Sequence, residues 1–338
     1  MTLLWVEFSV MAFLIIISGT FLSKFGDVIS ERTGIGQVLI GSVLVALATS
    51  LPELVTSITA SLVEAPDIAI GNVFGSNTFN LMILGLSDLL HGPGPLMLRV
   101  RYSHILSGLL GILLSAIVVF SIMVSHFTNI NPGIWGIGLD SYIIIFTYII
   151  GMRLIYRYER KNPLDKDFQE EETGASSEIS LNMAIPGFAI SAVVIIFAGI
   201  KLSLLGNNIA SVTGIDQSFI GSILIAAATS LPELVASISA IRINAYNMAI
   251  GNVMGSNIFN MTIVFFADLF YRGGYILSSV KVVHIITAMV GLIMSAVVLI
   301  GLFYRSRRTI FNIGWDSMFI GIIYIIGVFF LFKLGINF

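Results

Sequence analysis

The feature that most constrains the fold is an apolar stretch that occurs twice. Residues 41–60 read GSVLVALATSLPELVTSITA, and residues 221–240 read GSILIAAATSLPELVASISA, with fifteen of twenty positions identical. Each copy is as long as a membrane span, yet each has a proline and a glutamate near its middle: Pro52 and Glu53, then Pro232 and Glu233. A charge at the bilayer centre costs at least ~2.5–3.5 kcal/mol. A chain that keeps this acid in both copies therefore uses it.

Composition places the chain in a membrane. It is 57% hydrophobic and only 11% charged, with a mean hydropathy of +0.98, whereas a soluble domain carries about 25% charged residues. Apolar runs of about 20 residues, enough to cross the hydrocarbon core, recur along the whole length. These runs lack the period-2 alternation of barrel strands, so we expect helices. The chain has no cysteine, which excludes disulfides, thiol chemistry and cysteine-bound iron–sulfur clusters.

We predict ten transmembrane helices. The first is a retained span and not a signal peptide, because the N-terminus lacks a positive region and a clear cleavage site. The long hydrophilic segment after the fifth span carries four basic and seven acidic side chains between residues 157 and 180, and we interpret it as a linker between two halves, 1–156 and 183–338, with the linker at 157–182. The spans lie near residues 4–23, 36–62, 68–90, 103–125, 134–156, 183–205, 216–241, 247–270, 282–304 and 314–336.

The two halves are predicted to be inverted repeats. At the same offset of 180 residues, GNVFGSNTFN at 71–80 matches GNVMGSNIFN at 251–260 in eight of ten positions. Each half has five spans, and because five is odd, the second half must enter the membrane from the opposite side. The fold class is therefore an all-α integral membrane protein of two inverted five-helix repeats, an architecture typical of secondary transporters whose binding site lies at the midplane between the repeats.

The distribution of lysine and arginine predicts the orientation. Thirteen of these residues lie on the side reached after the odd-numbered spans and four on the other side. The positive-inside rule then makes the linker cytoplasmic and places both termini outside. We expect a multi-pass protein of the cell membrane. The four residues on the outer side are Lys201, Arg272, Lys281 and Lys333.

The two central glutamates point to a cation or a proton. No lysine or arginine lies in the middle of any predicted span to pair with Glu53 or Glu233, so the compensating charge must be a bound cation or a proton. The alternative is a permanently protonated acid with a single hydrogen bond. The prolines before them should break their helices and release the carbonyls near Ala48 and Ala228, and such carbonyls can coordinate a cation where they line a polar cavity.

Neutral oxygens surround these acids in the sequence. Thr49 and Ser57 flank Glu53 at spacings of four, and Thr229 and Ser237 flank Glu233 in the same way, which places each set along one helix face. The following span in each half carries a stripe of amides and hydroxyls, for which the alternative role is to join helices. The stripes are Asn72, Ser76 and Asn80 in the first half and Asn252, Ser256 and Asn260 in the second.

Oxygen ligands without sulfur or a core histidine favour a hard cation. Ca²⁺ fits such a set well, and Mg²⁺ less well, because Mg²⁺ demands near-ideal octahedral geometry and gives up water reluctantly. Na⁺ is also a hard ion of similar size. Two carboxylates balance the charge of one Ca²⁺.

At these residues the sequence resembles the Na⁺/Ca²⁺ exchanger family, particularly its short prokaryotic members. The resemblance is carried by ATSLPEL at 48–54 and 228–234 and by GNVxGSNxFN at 71–80 and 251–260. It implies four ion sites between the second, third, seventh and eighth helices, and exchange of Ca²⁺ for Na⁺ by alternating access as the first and sixth helices slide. It implies no cofactor and no obligate protein partner. The implied ligands are Glu53 and Glu233, hydroxyls of Thr49, Ser50, Ser76, Thr229, Ser230 and Ser256, carbonyls of Ala46 and Ala226, and the flanking amides Asn80 and Asn260.

The sequence departs from the family pattern at two kinds of position. Ala48 and Ala228 replace a common glycine, and Asn260 stands where some relatives carry aspartate, so K⁺ co-transport is not expected.

A H⁺/Ca²⁺ antiporter of the same fold stays the alternative function, although that branch usually shows a GNxxE-type motif. A channel is a third possibility. A membrane-embedded enzyme is not expected, because no GxGD aspartate pair, serine–base pair or HExxH motif lies at membrane depth, and no basic patch suggests nucleic acid.

Overall fold

The computed structural model consists almost entirely of long helices. It describes residues 2–33, 49–92, 94–128, 131–161, 179–242, 244–310 and 313–337. Short one-turn helices at Leu96–Arg99 and Ile276–Ser279 precede the long helices that begin at Ser103 and Val283. The helices are α1 (Thr2–Thr33), α2 (Leu51–Leu62), α3 (Pro66–Leu90), α4 (Ser103–Thr128), α5 (Leu139–Lys161), α6 (Leu181–Thr213), α7 (Gln217–Thr229), α8 (Leu231–Arg242), α9 (Tyr246–Phe270), α10 (Val283–Tyr304) and α11 (Trp315–Asn337).

These helices define a multi-pass membrane protein. Within the described ranges, eight single helices are long and apolar enough to span a membrane, and α7 with α8 forms a ninth span that is bent by 42°. The predicted second span, 36–62, is only partly described: α2 covers its last twelve residues, and residues 34–48 lie outside the described part. The structure therefore confirms a helical membrane protein and leaves the count of ten as a prediction.

Several predicted span ends differ from the observed ones. Helix α1 continues to Thr33 and α6 to Thr213, ten and eight residues beyond the predicted ends at 23 and 205. Helix α5 begins at Leu139 and not at 134, because Gly133–Ile134 (β1) pairs with Ile137–Gly138 (β2) in an antiparallel hairpin. Trp135 and Gly136 between these strands have φ angles of 54° and 81°, as a type I′ turn requires.

A matching hairpin precedes α11. Thr309–Ile310 (β3) pairs with Ile313–Gly314 (β4), and the predicted last span loses its first residue to this hairpin. These two small hairpins are the strands present among the described residues. They qualify the all-α prediction without changing the class.

The proline motif breaks its helix, as the sequence predicts. Helix α7, which includes a π-helical segment at Ile220–Ile225, ends at Thr229, and α8 starts at Leu231. Between them Ser230 has φ −88° and ψ 6°. The bend follows from Pro232, which has no N–H to donate to the Ala228 carbonyl one turn earlier. Ser50 has nearly the same conformation, φ −88° and ψ 7°, immediately before α2.

Helices α3 and α9 form the centre of the molecule. In an apolar 18-residue stretch of each of these two helices, 67% of the residues are buried. The corresponding share is 22% in α1, α5 and α11. Glycine allows α3 to lie against α7, because a Cβ on Gly75 would be 2.2 Å from the Ser222 carbonyl oxygen. Helix α1 packs along α6 and also contacts α7 and α8. The centre of the bundle is thus lined by the two helices with the most buried polar side chains.

Two buried aspartates connect the ends of α3 and α9 to the opposite half. Asp268 Oδ2 accepts hydrogen bonds from Gly138 N at 2.7 Å and Ser141 Oγ at 2.8 Å, and Oδ1 accepts one from Ile276 N at 2.7 Å. Asp88 accepts from Leu96 N at 2.5 Å and from Gly314 N at 2.6 Å. These carboxylates therefore cap the loops and hairpins at the ends of α3 and α9.

Candidate cation site

Glu53 and Glu233 lie in the centre of the bundle and exchange hydrogen bonds between the halves. Both are fully buried, with 0% exposure. Ser230 Oγ donates to Glu53 Oε1 at 2.8 Å, and Ser50 Oγ donates to Glu233 Oε1 at 3.1 Å. Each serine occupies the helix break of one copy of the motif, and each glutamate belongs to the other copy. The duplicated stretches thus meet at their most polar residues.

Further hydroxyls face the same two carboxylates. Thr229, whose hydroxyl donates to Asn72 Oδ1 at 3.1 Å, and Ser76 lie beside Glu53, and Thr49 lies beside Glu233. The hydroxyls of Ser76 and Thr229 are 3.5 Å apart, which places α3 and α7 side by side here. Each carboxylate thus accepts a hydrogen bond from a serine of the other half, and Glu53 also has Ser76 of its own half beside it.

Lysine and arginine take no part in this arrangement. The ion pairs found among the described residues involve Asp88, Asp67 and Asp216, and the described part of the chain has no group of three or more His, Cys, Asp or Glu residues placed to hold a metal. The two glutamates lie close enough to repel each other. A cation bound here would be coordinated by two carboxylates and otherwise by neutral oxygens.

Several acceptor oxygens at the centre have no hydrogen-bond donor among the described residues. They are buried, and they lie on both glutamates and on two of the predicted amides: Glu53 Oε2, Glu233 Oε2, Asn80 Oδ1 and Asn260 Oδ1. Leaving such groups without a partner costs free energy, more so when they are charged. Because an ionised carboxylate can only accept, a hard cation is a partner that fits all four atoms.

Four asparagines fix α3 against α9 in a reciprocal network that the sequence analysis missed. Asn77 Nδ2 donates to the Asn257 carbonyl at 3.2 Å, and Asn257 Nδ2 donates to the Asn77 carbonyl at 3.3 Å. Their side-chain oxygens accept from Asn80 and Asn260 Nδ2, both at 3.0 Å. The network orients the free Oδ1 atoms of Asn80 and Asn260. The sequence contains an indication of this network, because the same asparagine occurs at Asn77 and Asn257 in the two copies of GNVxGSNxFN.

Asn72 joins helices, as the alternative interpretation allowed. Its Nδ2 donates to the Glu53 carbonyl at 3.2 Å and to Ser57 Oγ at 3.0 Å, and its Oδ1 accepts from Thr229 Oγ1 at 3.1 Å. Ser57 donates in turn to the Ala69 carbonyl at 3.2 Å. These side chains fasten α2, α3 and α7 to one another beside Glu53.

The predicted ligand residues are buried, with one outside the described part of the chain. Ala46 lies outside the described residues. The Ala226 carbonyl accepts from Ser230 N at 3.0 Å and from Thr229 Oγ1 at 3.2 Å, so it is already engaged. Ser256 is fully buried, and its hydroxyl has no partner among the described residues. The other predicted residues are all buried: Thr49, Ser50, Glu53, Ser76, Asn80, Thr229, Ser230, Glu233 and Asn260.

The fold and the site define a polytopic membrane protein with a buried, oxygen-lined, two-carboxylate centre. A family model described as "Sodium/calcium exchanger protein" matches residues 3–156 and 183–333. Among relatives, the chain is 30% identical over 262 residues to inner membrane protein YrbG of Escherichia coli, covering 74% of each protein. It is 27% identical over 280 residues to the sodium/calcium exchanger MaX1 of Methanosarcina acetivorans, covering 73% of this chain and 77% of that protein.

The chain is also similar to solved structures of a sodium–calcium exchanger. A structure of the sodium–calcium exchanger NCX_Mj, soaked with Na⁺ and Sr²⁺, aligns with a TM-score of 0.61 and 26% identity, covering 97% of this chain and 98% of that one. The chain therefore belongs to the sodium/calcium exchanger family, as its motifs indicated. This is a family of transporters and not of enzymes.

Proposed function

We propose that the protein is a secondary antiporter that exchanges Ca²⁺ for Na⁺ across the cell membrane by alternating access. The observation that carries the proposal is the pair Glu53 and Glu233, buried together without a basic partner among the described residues. Two negative charges match one Ca²⁺, and the same oxygens suit Na⁺. Family membership and the similarity of the chain to sodium/calcium exchangers support the choice of ions.

The proposal places four ion sites around the two glutamates. The unpartnered carboxylate oxygens would bind directly, with the amides of Asn80 and Asn260 flanking the middle site. Asn260 is neutral, so the centre holds two carboxylates, and K⁺ co-transport is not part of the proposal. The remaining proposed donors are the hydroxyls of Thr49, Ser50, Ser76, Thr229, Ser230 and Ser256 and the carbonyls of Ala46 and Ala226.

The proposed architecture is ten helices in two inverted repeats, 1–156 and 183–338, joined by a cytoplasmic linker at 157–182. The termini face outside. Reciprocal contacts separated by nearly the repeat offset, such as Ser230 with Glu53 and Ser50 with Glu233, support the repeat relationship. Helices α1 and α6 pack chiefly on each other and, at their inner side, on the broken helices. That arrangement supports sliding of this pair as the step that alternates access.

Flux into proteoliposomes tests the proposal and separates it from its alternative. A H⁺/Ca²⁺ antiporter of the same fold is the alternative, because glutamates held only by hydroxyls could also carry protons. We expect ⁴⁵Ca²⁺ uptake when an outward Na⁺ gradient is imposed at equal pH, and none when only a pH gradient is imposed in the absence of Na⁺. Uptake driven by the pH gradient alone would establish the alternative instead.

Substitution of the glutamates tests the site. Glu53→Gln and Glu233→Gln remove one charge each and should abolish Ca²⁺ uptake, because one carboxylate cannot balance a divalent ion in a buried site. Glu64→Gln is the matched control, since Glu64 is an exposed acid just beyond the end of α2. All three proteins should reach the membrane and elute as folded species. Full uptake by either core variant would show that the site lies elsewhere.

A further inference from the structure

Three loops at one end of the helix bundle bring arginines together. They are the segments 89–102 after α3, 242–247 between α8 and α9, and 303–310 after α10, and none of them contains aspartate or glutamate. Arg99, Arg101 and Arg305 form what we call the arginine cluster. The same segments also carry Arg242, Arg307 and Arg308.

Side-chain contacts hold the arginine cluster together. Arg305 Nη2 donates to the Val100 carbonyl at 2.5 Å, and its guanidinium lies 3.8 Å from the centre of the Tyr102 ring. Arg99 lies 5.4 Å from the centre of the Tyr246 ring, and its Nη1 is 3.4 Å from the Tyr246 hydroxyl. These contacts fix the guanidinium groups of Arg305 and Arg99 at the junction of the loops, where stacking on aromatic rings orients the guanidinium planes. The Arg101 backbone is held there by its N–H, which donates to Asn247 Oδ1 at 2.8 Å.

Two features suggest that the arginine cluster is built to receive a ligand. The Arg101 Nε atom is buried and has no hydrogen-bond partner among the described residues. Arg305 has a φ of 50° at the end of α10, a conformation in which glycine or asparagine is usual and other residues are rare. The contacts of Arg305 with the Val100 carbonyl and the Tyr102 ring keep its guanidinium against the segment that contains Arg101, despite the unfavourable backbone.

The opposite end of the molecule, where the repeat places the equivalent loops, is different. The segments 62–67, 127–134 and 269–282 contain two basic residues, Arg272 and Lys281, and two acids, Glu64 and Asp67. Lys281 also forms an ion pair with Asp216. Burial acts to raise the pKa of Asp216, but hydrogen bonds from Lys281 and Ser218 outweigh it and lower that pKa, so Asp216 stays ionised. The excess of positive charge is thus confined to the end with the arginine cluster.

Exposed apolar side chains border the cluster. Leu89 and Leu90 at the end of α3 are 56% and 53% exposed, and Phe303 and Tyr304 at the end of α10 are 77% and 72% exposed. These are the last turns of helices that are long and apolar enough to span a membrane, and exposed apolar surface there is suited to contact acyl chains near the membrane boundary. A ligand that meets both surfaces has an anionic head and an apolar tail.

We propose that the arginine cluster binds the phosphate of an anionic phospholipid, whose acyl chains lie along Leu90 and Phe303. Basic pockets between transmembrane helices bind such headgroups, and arginine forms bidentate hydrogen bonds with phosphate. A free phosphate would satisfy the same guanidinium groups but would gain nothing from the apolar border. The site is separate from the glutamates, so its occupancy can be measured without ion transport.

Native mass spectrometry of the full chain in detergent tests this proposal. Dioctanoyl-phosphatidylglycerol is titrated against dioctanoyl-phosphatidylcholine, which shares its phosphate and tails but has a cationic choline. We expect retention of the anionic lipid only, and about fivefold weaker binding for each of Arg99→Gln and Arg101→Gln, the fold-change for one lost phosphate contact near an anionic surface. Arg272→Gln, the same change at the opposite end, should bind like wild type.

Further measurements on the wild-type protein keep the proposal testable if a variant misfolds. Rising NaCl should release phosphatidylglycerol, because exposed charge contacts are screened, whereas millimolar inorganic phosphate should not displace it. Equal retention of the two lipids, displacement by inorganic phosphate, or equal loss in Arg272→Gln would overturn the proposal. The triple variant Glu170→Gln, Glu171→Gln and Glu172→Gln, in the acidic linker, should bind lipid like wild type. Tighter binding there would mean that the linker is the occupant.

Discussion

Ser230 donates a hydrogen bond to Glu53 at 2.8 Å across 177 positions of the chain. The reciprocal bond runs from Ser50 to Glu233 at 3.1 Å. In each half the serine stands three residues before the glutamate, at the helix break that the proline imposes. Neither half can complete the surroundings of its own carboxylate, so the centre exists only where the halves meet.

The first prediction concerns the serine hydroxyls. Ser230→Ala removes the shorter bond, and a hydrogen bond to a charged group is worth about 1.5–3 kcal/mol. We expect the Ca²⁺ concentration for half-maximal uptake to rise roughly tenfold or more, with a smaller effect for Ser50→Ala. Proteoliposome uptake over a range of Ca²⁺ concentrations measures both.

Ser61→Ala provides the control for these variants. Ser61 is fully buried on α2, but its hydroxyl donates to the Ser57 carbonyl at 2.9 Å and contacts neither glutamate. Its uptake curve should match that of wild type. An unchanged curve for Ser230→Ala would show that this hydroxyl does not act through Glu53.

The second prediction concerns close helix approach at Gly75. A Cβ there would lie 2.2 Å from the Ser222 carbonyl oxygen and 2.7 Å from the Ala226 Cβ, and neither atom can move without shifting α7. We expect Gly75→Ala to lower the free energy of unfolding by about 1–3 kcal/mol or more, the usual cost of overpacking. Thermal unfolding in detergent measures this. Gly321→Ala, with nothing within 4 Å of its new Cβ, should unfold like wild type, and equal stability of the two variants would contradict the packing argument.

The third prediction tests the asparagine network. Asn257→Ala leaves the Asn80 amide without its acceptor and removes the donor to the Asn77 carbonyl. Each buried group left unsatisfied costs about 1–3 kcal/mol, so we expect a lower melting temperature and loss of Ca²⁺ uptake as Asn80 loses its orientation. Ser295→Ala, at a residue that lines one cavity together with Asn77 and Asn257, should retain uptake. Normal uptake by Asn257→Ala would exclude an orienting role.

Much of this arrangement could be predicted from the sequence because its causes are local. The 20-residue apolar runs predicted the spans, and Pro232 predicted the break between α7 and α8, which the structure confirms. The buried acids were visible as charges at membrane depth. Duplication was also visible, because it depends on identity at a fixed offset and on nothing three-dimensional.

The remaining features depend on contacts between distant segments. The turn at Trp135 and Gly136 delays α5, and its flanking residues are apolar, so hydropathy alone extended the helix through it. Asn77 lies one position from Ser76, off the i, i+4 stripe, so spacing along α3 did not suggest its pairing with α9. The role of Asp268 likewise required the position of the first hairpin, 130 residues away in sequence.

The fourth prediction compares two buried aspartates that differ in what they require. Asp268 accepts three hydrogen bonds from Gly138, Ser141 and Ile276, and Asp268→Asn would turn one accepting oxygen into an NH₂ group facing these donors. We expect a loss of about 1–3 kcal/mol of unfolding free energy, measured by thermal unfolding in detergent. Asp67→Asn should be tolerated, because its contacts with Lys281 N at 2.8 Å and His284 Nε2 at 3.0 Å both fall on Oδ1, which an amide oxygen can replace. Its repeat counterpart is already Asn247, whose Oδ1 accepts from Arg101 N at 2.8 Å. Equal losses in the two variants would mean that charge, and not the number of donors, determines the cost.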